Sequence, residues 1–382
     1  PVQDVPVMHR SIVALVIAFV TAVGLTAAVP SHAAAAEGYR QTAATVYRLD
    51  PANGRLRVTV TLKVSNTTPD RQEAYSCVEY TEGWLPIPYP STCYRTVRTV
   101  MTTTSALVEN EATAIKAVSG GKTLAVAQGT PGAAYRAVTI TFPQLFGGQS
   151  RTVKLTYTVR GGEPRSQTST RTMRAFASFC AIANGVDQGS VTVRLPKGYA
   201  VTTTGEKLKA RVEGKERILA SGRIKATSDW FACFTGTNHG GYKTEKLAGH
   251  DGRTIQLRSW PEDPAWATGV RADITSSLPA LERLTGAGLP GEAALNIVEA
   301  ATGPQYAGFY DTQTRTVTVG EDYAQPALVE HELAHVVTAA MGAWPLYLSA
   351  TGRLYPLPGL IEGAAVAAAW EGDSDASPHE WS

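Results

Sequence analysis

The chain has 382 residues, an apolar fraction of 43% and a formal net charge of +2. Its length exceeds the usual size of one domain, so at least two domains are expected, and the apolar fraction suffices for folded cores. A nearly neutral chain without a long run of Lys and Arg argues against nucleic acid as a partner. The many Gly, Pro, Thr and Val residues favour a β-rich chain with numerous turns.

The N-terminal segment has the pattern of a secretory signal peptide. Arg10 precedes an almost wholly apolar run from Ile12 to Val29, and small residues suited to cleavage follow before Glu37. We therefore assign residues 1–36 to upstream residues and the signal peptide, with Met8 as the initiator, and expect a secreted, extracellular protein. The apolar run is also nearly long enough to span a bilayer, so an uncleaved membrane anchor is the alternative. A membrane is an expected partner only in that case.

Export makes the four cysteines candidates for disulfides. Four cysteines allow three connectivities, and sequence alone does not decide among them. The preferred pairing joins Cys77 to Cys93, which are close in sequence around a Pro-rich loop, and Cys180 to Cys233. No Cys-x-x-Cys arrangement is present, so a cysteine-based metal site is not predicted.

Residues 37–245 are predicted to form a β-rich N-terminal region. Apolar residues alternate with polar ones from Leu56 to Val64 and again from Val153 to Val159, which is typical of strands with one solvated face. Residues 50–54 carry a strong turn signal between two strands. We interpret the region as an antiparallel, sandwich-like fold of one large or two small units.

Residues 246–382 have a different pattern and are predicted to form an α+β domain. Asp263 is a suitable N-cap for a helix that begins at Pro264 and ends at Thr285, with a kink or break expected at Pro279. The remaining predicted elements are strands Leu295–Val298 and Thr316–Val319, a helix from about Pro326 to Met341, and a helix from about Pro358 to Trp370.

The helix predicted at Pro326 contains a His-Glu-x-x-His motif. Residues four apart lie on one face of an α-helix, so His331 and His335 can both bind one Zn²⁺ ion. Glu332 can reach a water molecule on that metal and act as general base. The motif predicts one zinc ion and leaves the third protein ligand to be found.

Glu362 is the predicted third ligand. The metzincin pattern would place Gly and His at positions that hold Thr338 and Met341, so that pattern is excluded. Glu362 is a single acid in an apolar, Ala-rich segment, and a buried carboxylate needs a partner such as a metal ion. The competing interpretation is an acid near a helix N-terminus that is favoured by the helix dipole.

With these motifs the chain resembles the gluzincin zinc metallopeptidases of the peptidase MA type and, more distantly, the aminopeptidase N family. The resemblance rests on residues 331–335 and 360–363 and extends to residues 307–310 and the strand after them. It implies a zincin-type catalytic domain over residues 246–382 and a peptide or protein substrate that lies along an edge strand. The substrate-binding residues expected from it are Gly308, Thr316, Val317, Thr318 and Val319, with the substrate added to the Thr316–Val319 strand.

The chain departs from the aminopeptidase N pattern in three respects. The spacing from the second His to the Glu is longer, and the Gly-x-Met-Glu-Asn motif that holds the substrate N-terminus is absent. Glu299 is a substitute for that amine anchor, although a surface position is favoured for it. The transition-state Tyr expected after Glu362 is missing, and we expect it beyond a truncated C-terminus; Tyr347, Tyr355 and His379 are the alternatives.

The function predicted from the sequence is therefore zinc-dependent hydrolysis of peptide bonds by a secreted enzyme, through a zinc-bound water activated by Glu332. Aminopeptidase specificity is not carried over. The alternative is a secreted β-sandwich binding protein with a structural or vestigial metal site, because the long β-rich region carries no catalytic pattern.

Overall fold

The computed structural model describes residues 38–82, 85–166, 168, 170–249, 252–285, 289, 294–301, 307–322, 326–340, 346–348 and 354–356. Within these residues the chain is mostly β-strand, arranged in several sheets, with two α-helices. It divides into two compact units. The β unit comprises residues 38–161 and 178–235, and the mixed unit comprises residues 162–177 and the chain from residue 236 onward. The boundary predicted near residue 245 lies inside the mixed unit, and the assignment of residues 162–177 to that unit was not predicted.

The strands between residues 38 and 237 are mostly long and follow one another closely. In chain order they are β1 Tyr39–Asp50, β2 Arg55–Asn66, β3 Arg71–Tyr80, β4 Pro88–Val97, β5 Val100–Glu109, β6 Ala112–Ser119, β7 Lys122–Gln128, β8 Tyr135–Phe146, β9 Ser150–Arg160, β10 Arg171–Thr172, β11 Phe176–Ile182, β12 Gln188–Pro196, β13 Ala200–Gly205, β14 Lys209–Glu213, β15 Glu216–Ala220 and β16 Phe231–Thr237.

Ten of these strands form one sheet in the order β14-β15-β12-β1-β2-β9-β6-β7-β8-β5. The alternating residues predicted for β2, from Leu56 to Val64, are all buried, and so are those predicted for β9, from Val153 to Val159. The β-rich prediction is therefore confirmed for these strands. The pairing is antiparallel in this sheet except between β1 and β12, which run parallel with Thr45 opposite Val191.

A second sheet packs on the first through aromatic side chains. Phe179 of β11 stacks on Tyr47 of β1 at a ring separation of 6.3 Å and on Phe234 of β16 at 5.1 Å. A disulfide between Cys180 and Cys233 joins β11 to β16, which is the connectivity preferred from the sequence. Face-to-face packing of two sheets through buried aromatics is the arrangement expected of a sandwich.

The hairpin formed by β3 and β4 is a separate two-stranded sheet. The strands pair antiparallel from Arg71 opposite Val97 to Tyr80 opposite Pro88, and a disulfide joins Cys77 to Cys93. Most side chains on both faces of the hairpin are exposed. Since an isolated two-stranded hairpin is marginally stable in water, the disulfide is its main covalent support.

The mixed unit combines a five-stranded sheet with two helices. Its elements after β16 are β17 Lys243–Ala248, β18 Thr254–Ser259, α1 Pro264–Thr285, β19 Leu295–Ala300, β20 Gly308–Asp311, β21 Thr316–Gly320, α2 Pro326–Ala340, β22 Leu346–Leu348 and β23 Leu354–Pro356. The sheet has the order β17-β18-β19-β21-β20, with β18, β19 and β21 parallel to one another.

One face of this sheet holds the core of the unit. Alternate residues of the three parallel strands pack with apolar residues of α1 and α2, and all of them are buried. The members from the sheet are Ile255, Leu257, Leu295, Ile297, Val317 and Val319, and those from the helices include Trp266, Val270, Ile274, Val329, Leu333 and Val336.

The sheet order corrects one prediction from the sequence. Strand β21, which contains Thr316, Val317, Thr318 and Val319, pairs with β19 on one side and with β20 on the other. Both of its edges are therefore occupied, and a substrate cannot be added to it. The edge strand is β20, which begins at Gly308.

Both helices have the predicted positions. In α1 the Asp263 carboxylate accepts the backbone N–H of Trp266 at 3.1 Å, so the predicted N-cap is confirmed. The helix continues through Pro279 to Thr285, so a break does not occur there, and the alternative, a kink, stays a prediction. Helix α2 begins at Pro326, as predicted.

Several predictions lie outside the described residues. They concern the signal segment 1–36, the helix predicted from Pro358 to Trp370, the ligand Glu362, and His379. In the part of the chain that the structure describes, no helix is both long and apolar enough to cross a membrane.

Candidate metal centre

Between Val329 and Val337, helix α2 is buried except at two positions on one side. From Val329 to Val337, every side chain except those of His331 and His335 is buried. A helix that is surrounded by the core has few positions at which an ion can reach it. The i, i+4 spacing puts both imidazoles on the same side of the helix, so the two metal-binding residues of the motif are also the two accessible residues of this segment.

The two imidazoles are positioned to share one ion. Nε2 of His331 lies 3.0 Å from Nε2 of His335, and the two rings meet edge to face at 88°. Two nitrogens that bind one tetrahedral Zn²⁺ at its usual bond length lie about 3.3 Å apart. The observed separation is close to that value, so these residues fit a zinc ion.

Glu332 lies against the edge strand of the sheet. Its side chain is 4% exposed, and a Cβ atom added to Gly308 would lie 3.1 Å from its Cγ and Oε1 atoms. The same Cβ would lie 3.0 Å from the Thr318 carbonyl oxygen. The absence of a side chain at Gly308 thus leaves room for the carboxylate beside the first residue of β20.

The structure does not bring the full predicted ligand set together, because Glu362 lies outside the described residues. The same holds for one of the three candidates for the transition-state residue, His379. The other two are in the short strands β22 and β23, where Tyr347 pairs in register with Tyr355. The third ligand and the oxyanion-stabilising group therefore remain predictions from the sequence.

A buried carboxyl pair lies where α1 begins. Glu299 is fully buried at the end of β19 and accepts the Trp260 backbone N–H at 2.6 Å. Burial, with the neighbouring charge of Asp263 as a smaller cause, raises the pKa of Glu299 to about 9, so its carboxyl is neutral at pH 7. The surface position favoured for Glu299 from the sequence is wrong, and its burial away from solvent also argues against a role as amine anchor.

Asp263 is the charged member of that pair. Burial by itself would raise its pKa, but hydrogen bonds from the Arg165 guanidinium and the Trp266 backbone lower it below its usual value. Arg165 binds the carboxylate with two nitrogens, one of them 2.9 Å from Oδ1. This bidentate contact ties the 162–177 segment to the start of α1.

Glu321 makes the second contact to the same segment. It directly follows β21 and accepts the backbone N–H of Arg165 at 2.6 Å, while Nη2 of Arg171 lies 3.5 Å from each of its oxygens. Both Arg171 and Glu321 are buried. The 162–177 segment therefore contacts the chain directly after β21 as well as at the start of α1.

Sequence reasoning missed these five residues as a cluster. They are Arg165, Arg171, Asp263, Glu299 and Glu321, and they come from four separate stretches of the chain. Only Asp263 carried a local signal, as a helix N-cap. From the sequence, the other four would be interpreted as ordinary surface charges, because nothing in the neighbouring residues indicates that they are buried.

No family model and no curated protein matches the sequence. Among solved structures, the chain is similar to an aminopeptidase N family protein from Idiomarina loihiensis, with 13% identity, a TM-score of 0.30 and coverage of 78% of this chain and 47% of that chain. It is also similar to an M1 zinc metallopeptidase from Deinococcus radiodurans, with 13% identity, a TM-score of 0.28 and coverage of 79% and 64%. The chain spans less than two thirds of the length of either protein. Similarities of this size establish no family.

Proposed function

We propose that the chain is a zinc-dependent peptidase in which His331, His335 and Glu362 hold the metal and Glu332 is the general base. The observation that carries this proposal is the 3.0 Å separation of the two imidazole nitrogens on the partly exposed side of α2 between Val329 and Val337. The Glu332 carboxylate, which belongs to the motif and lies beside the first residue of the edge strand, supports it further. The proposed domain is an α+β, zincin-type catalytic domain of the gluzincin class.

A bound zinc ion supplies a Lewis acid that polarises the scissile carbonyl and lowers the pKa of water. The Glu332 carboxylate accepts the proton of the attacking water molecule and passes it to the nitrogen of the leaving amine. Burial of Glu332 among apolar residues of α2 keeps bulk water from competing for that carboxylate. Both proton transfers depend on a basic group at this position, which the Glu332 carboxylate supplies.

The substrate backbone is proposed to lie along β20, which replaces β21 in this role. Because β20 is at the edge of the sheet, one side of its backbone has no partner strand among the described residues. An extended peptide can pair with such an edge through main-chain hydrogen bonds. Pairing that begins near Gly308 would put the peptide bond next to the Glu332 carboxylate.

The decisive experiment measures zinc content and peptide cleavage on the same preparations of the full chain. We expect one zinc per chain and cleavage of members of a peptide library. Glu332→Gln should retain the zinc and lose about 10²- to 10⁴-fold in turnover, which is the usual contribution of a general base. Glu330→Gln is the matched control, because Glu330 is equally buried on the same helix but is not assigned to the reaction.

Three outcomes would contradict parts of the proposal. Undiminished turnover in Glu332→Gln would remove that residue from the mechanism. Full zinc content in Glu362→Gln would exclude Glu362 as a ligand. Stoichiometric zinc without cleavage of any peptide would favour the alternative, a secreted binding protein with a structural metal site.

A further inference from the structure

The outer side of the ten-stranded sheet concentrates the positive charge of the chain. Apolar residues of β1, β2, β9 and β12 alternate into the core, so the residues between them lie on the opposite, outer side. On the five neighbouring strands β12, β1, β2, β9 and β6, the outer positions hold nine cations, which are Arg40, Arg48, Arg55, Arg57, Lys63, Lys116, Lys154, Arg160 and Arg194.

Few acids balance these cations. The same outer positions hold one carboxylate, Asp50, and Glu216 of β15 contacts them from the neighbouring strand. Nine cations and two carboxylates give this side of the sheet a net charge of +7. The whole chain has a formal net charge of +2, which leaves −5 for the remaining residues. A separation of charge of this size creates a positive potential over one surface.

The two carboxylates do not neutralise their surroundings, because each is shared by two arginines. The contacts, all between 2.9 and 3.0 Å, are those of Arg55 and Arg57 with Asp50 and those of Arg48 and Arg194 with Glu216. Each of these groups keeps a net charge of +1. The other five cations form no ion pair with any residue that the structure describes, and they are Arg40, Lys63, Lys116, Lys154 and Arg160.

Four of these five cations lie on one diagonal line across four adjacent strands. We call it the cation stripe, and its members in order are Arg40 on β1, Lys63 on β2, Lys154 on β9 and Lys116 on β6. Each member is two residues along its strand from the residue that pairs with the member before or after it, as Lys154 is from Thr152, the partner of Lys63. Diagonal neighbours of this kind are about 7–8 Å apart, so three steps make the stripe about 21–24 Å long. All four side chains are exposed.

Hydroxyl side chains lie beside the stripe. The residues that pair directly with its four members on this side are Ser65, Thr42, Thr152, Thr61, Thr156 and Val118. A hydroxyl group can both donate and accept a hydrogen bond. Asp187, just before β12, is near the Arg40 end, where its carboxylate accepts the Gln41 backbone N–H at 2.6 Å. The three lysines are therefore the more positive part of the stripe.

The same side of the sheet lacks the groups that favour lipid or unpaired bases. None of the large apolar side chains that are exposed among the described residues lies on these five strands, so nothing here can insert into a bilayer. Tyr47 and Tyr157 are buried on the inner side and cannot stack on bases. Charge and hydroxyl groups are what this surface offers a partner.

From these observations we propose that the outer side of the sheet binds an acidic polysaccharide whose chain lies along the cation stripe. A linear polymer with repeated anionic groups matches a line of cations at regular intervals, because each step brings a new pair of opposite charges together. The hydroxyl groups of the sugars match the Thr and Ser side chains between the cations. The binding lies in the β unit and is independent of the proposed peptidase reaction.

The test measures the affinity of the full chain for heparin oligosaccharides by titration calorimetry. We expect binding that weakens as NaCl is added, because salt screens exposed charges. Lys63→Gln with Lys154→Gln should weaken binding about 30-fold, which is about fivefold for each lysine near an anionic surface. Lys243→Gln with Lys246→Gln is the matched control, because it removes the same charge from two exposed lysines of β17 in the mixed unit. The control should bind as the parent does.

Further variants separate charge from folding and from catalysis. Lys63→Arg with Lys154→Arg keeps both charges and should bind heparin as the parent does. All of these variants should melt at the temperature of the parent chain, because the replaced side chains are exposed. Glu332→Gln should also bind heparin normally, which separates this inference from the proposed reaction.

The linear arrangement predicts a dependence on the length of the sugar chain. Affinity should rise with oligosaccharide length until the sugar chain spans the stripe, about 21–24 Å, and should then level off. Neutral dextran of the same length should not bind, because it carries no anionic group.

Several outcomes overturn the inference. Absence of heparin binding at low NaCl, or equal weakening in the Lys63 and Lys154 variant and in its β17 control, excludes the stripe as the binding site. Affinity that does not depend on oligosaccharide length excludes binding along a line. Tighter binding of duplex DNA or of phosphatidylserine vesicles, with the same dependence on the two lysines, shows that nucleic acid or anionic lipid is the partner instead.

Discussion

The two units differ in the number of ionisable side chains that they bury. Seven ionisable side chains are buried among the described residues, one of them in the β unit and six in the mixed unit. The one in the β unit is Glu109, and the six in the mixed unit are Arg171, Asp263, Glu299, Glu321, Glu330 and Glu332. Burying a charge without a partner costs much free energy. A unit that buries several ionisable groups is therefore expected to pair them with other groups or to employ them in binding or catalysis.

The β unit follows the residue pattern of an ordinary folded core. Its strands alternate apolar and polar residues, and the apolar side of each strand enters the core. In the mixed unit the buried acids lie after the parallel strands, where the 162–177 segment contacts them, and along α2. Acids with perturbed pKa values, such as Glu299, are more common at functional sites than in ordinary cores. The difference supports placing the chemistry in the mixed unit.

The largest stability effect expected from this comparison concerns Arg171 and Glu321. Arg171→Met leaves the Glu321 carboxylate buried without its cation, and we expect it to destabilise the mixed unit by about 3–5 kcal/mol. The double variant with Glu321→Met should recover much of that loss, because no unpaired charge remains. Urea unfolding of the three variants and the parent measures both effects.

Arg95→Met is the matched control for a surface pair. The Arg95 nitrogen lies closer to Glu73 than Arg171 does to Glu321, but both side chains of that pair are largely exposed. We therefore expect no resolvable change in stability. An equal loss in Arg95→Met and Arg171→Met would show that burial does not separate the two units.

A second prediction concerns the single buried acid of the β unit. Burial raises the pKa of Glu109 from 4.5 to about 7. The folded state therefore holds this proton more tightly than the unfolded state does. The stabilisation is complete below pH 4.5 and is lost as pH rises to 7, by about 3 kcal/mol in all.

Glu109→Gln should remove that pH dependence, because an amide does not titrate. The measurement is the free energy of unfolding of the parent minus that of the variant, at several values between pH 4.5 and 8. Groups that titrate elsewhere, such as Glu299, cancel in this difference. A difference that stays constant across the range would contradict the raised pKa.

The smallest effect is expected at Gly308. Gly308→Ala places a methyl group 3.1 Å from the Glu332 carboxylate and 3.0 Å from the Thr318 carbonyl, so one of them must shift. Since general-base catalysis depends on position, we expect turnover to fall about tenfold with zinc content unchanged. Steady-state kinetics and metal analysis of the same preparation test this.

Phe309→Ala is the control for Gly308→Ala, because Phe309 is the next residue of β20 and its side chain is half exposed. Its removal leaves the space beside Glu332 unchanged, so kcat should be retained. A tenfold fall in kcat in both variants would mean that β20 as a whole, and not the space at Gly308, controls turnover.

Most of the local structure could be predicted from the sequence. The alternation in β2 and β9, the N-cap at Asp263, the helix at Pro326 and the zinc-ligand spacing of His331 and His335 all depend on residues near one another in the chain. Local patterns of this kind are set by the periodicity of strands and helices, which the sequence records directly.

Contacts between distant parts of the chain could not be predicted. Whether Thr316–Val319 is an edge strand depends on which strands flank it, and the structure puts β19 and β20 there. Whether Glu299 is exposed depends on Trp260 and Asp263, far from it in sequence. The position of Gly308 against Glu332 likewise requires that β20 and α2 meet.

The sequence by itself determined the strands, the helices and the identity of the residues that can bind zinc, because periodicity and side-chain chemistry are local properties. Only the tertiary structure decided which strand lies at the edge of the sheet, which acids are buried, and that residues 162–177 bind Asp263 and Glu321. Those features arise from packing between segments distant in sequence, and no neighbouring residue encodes them.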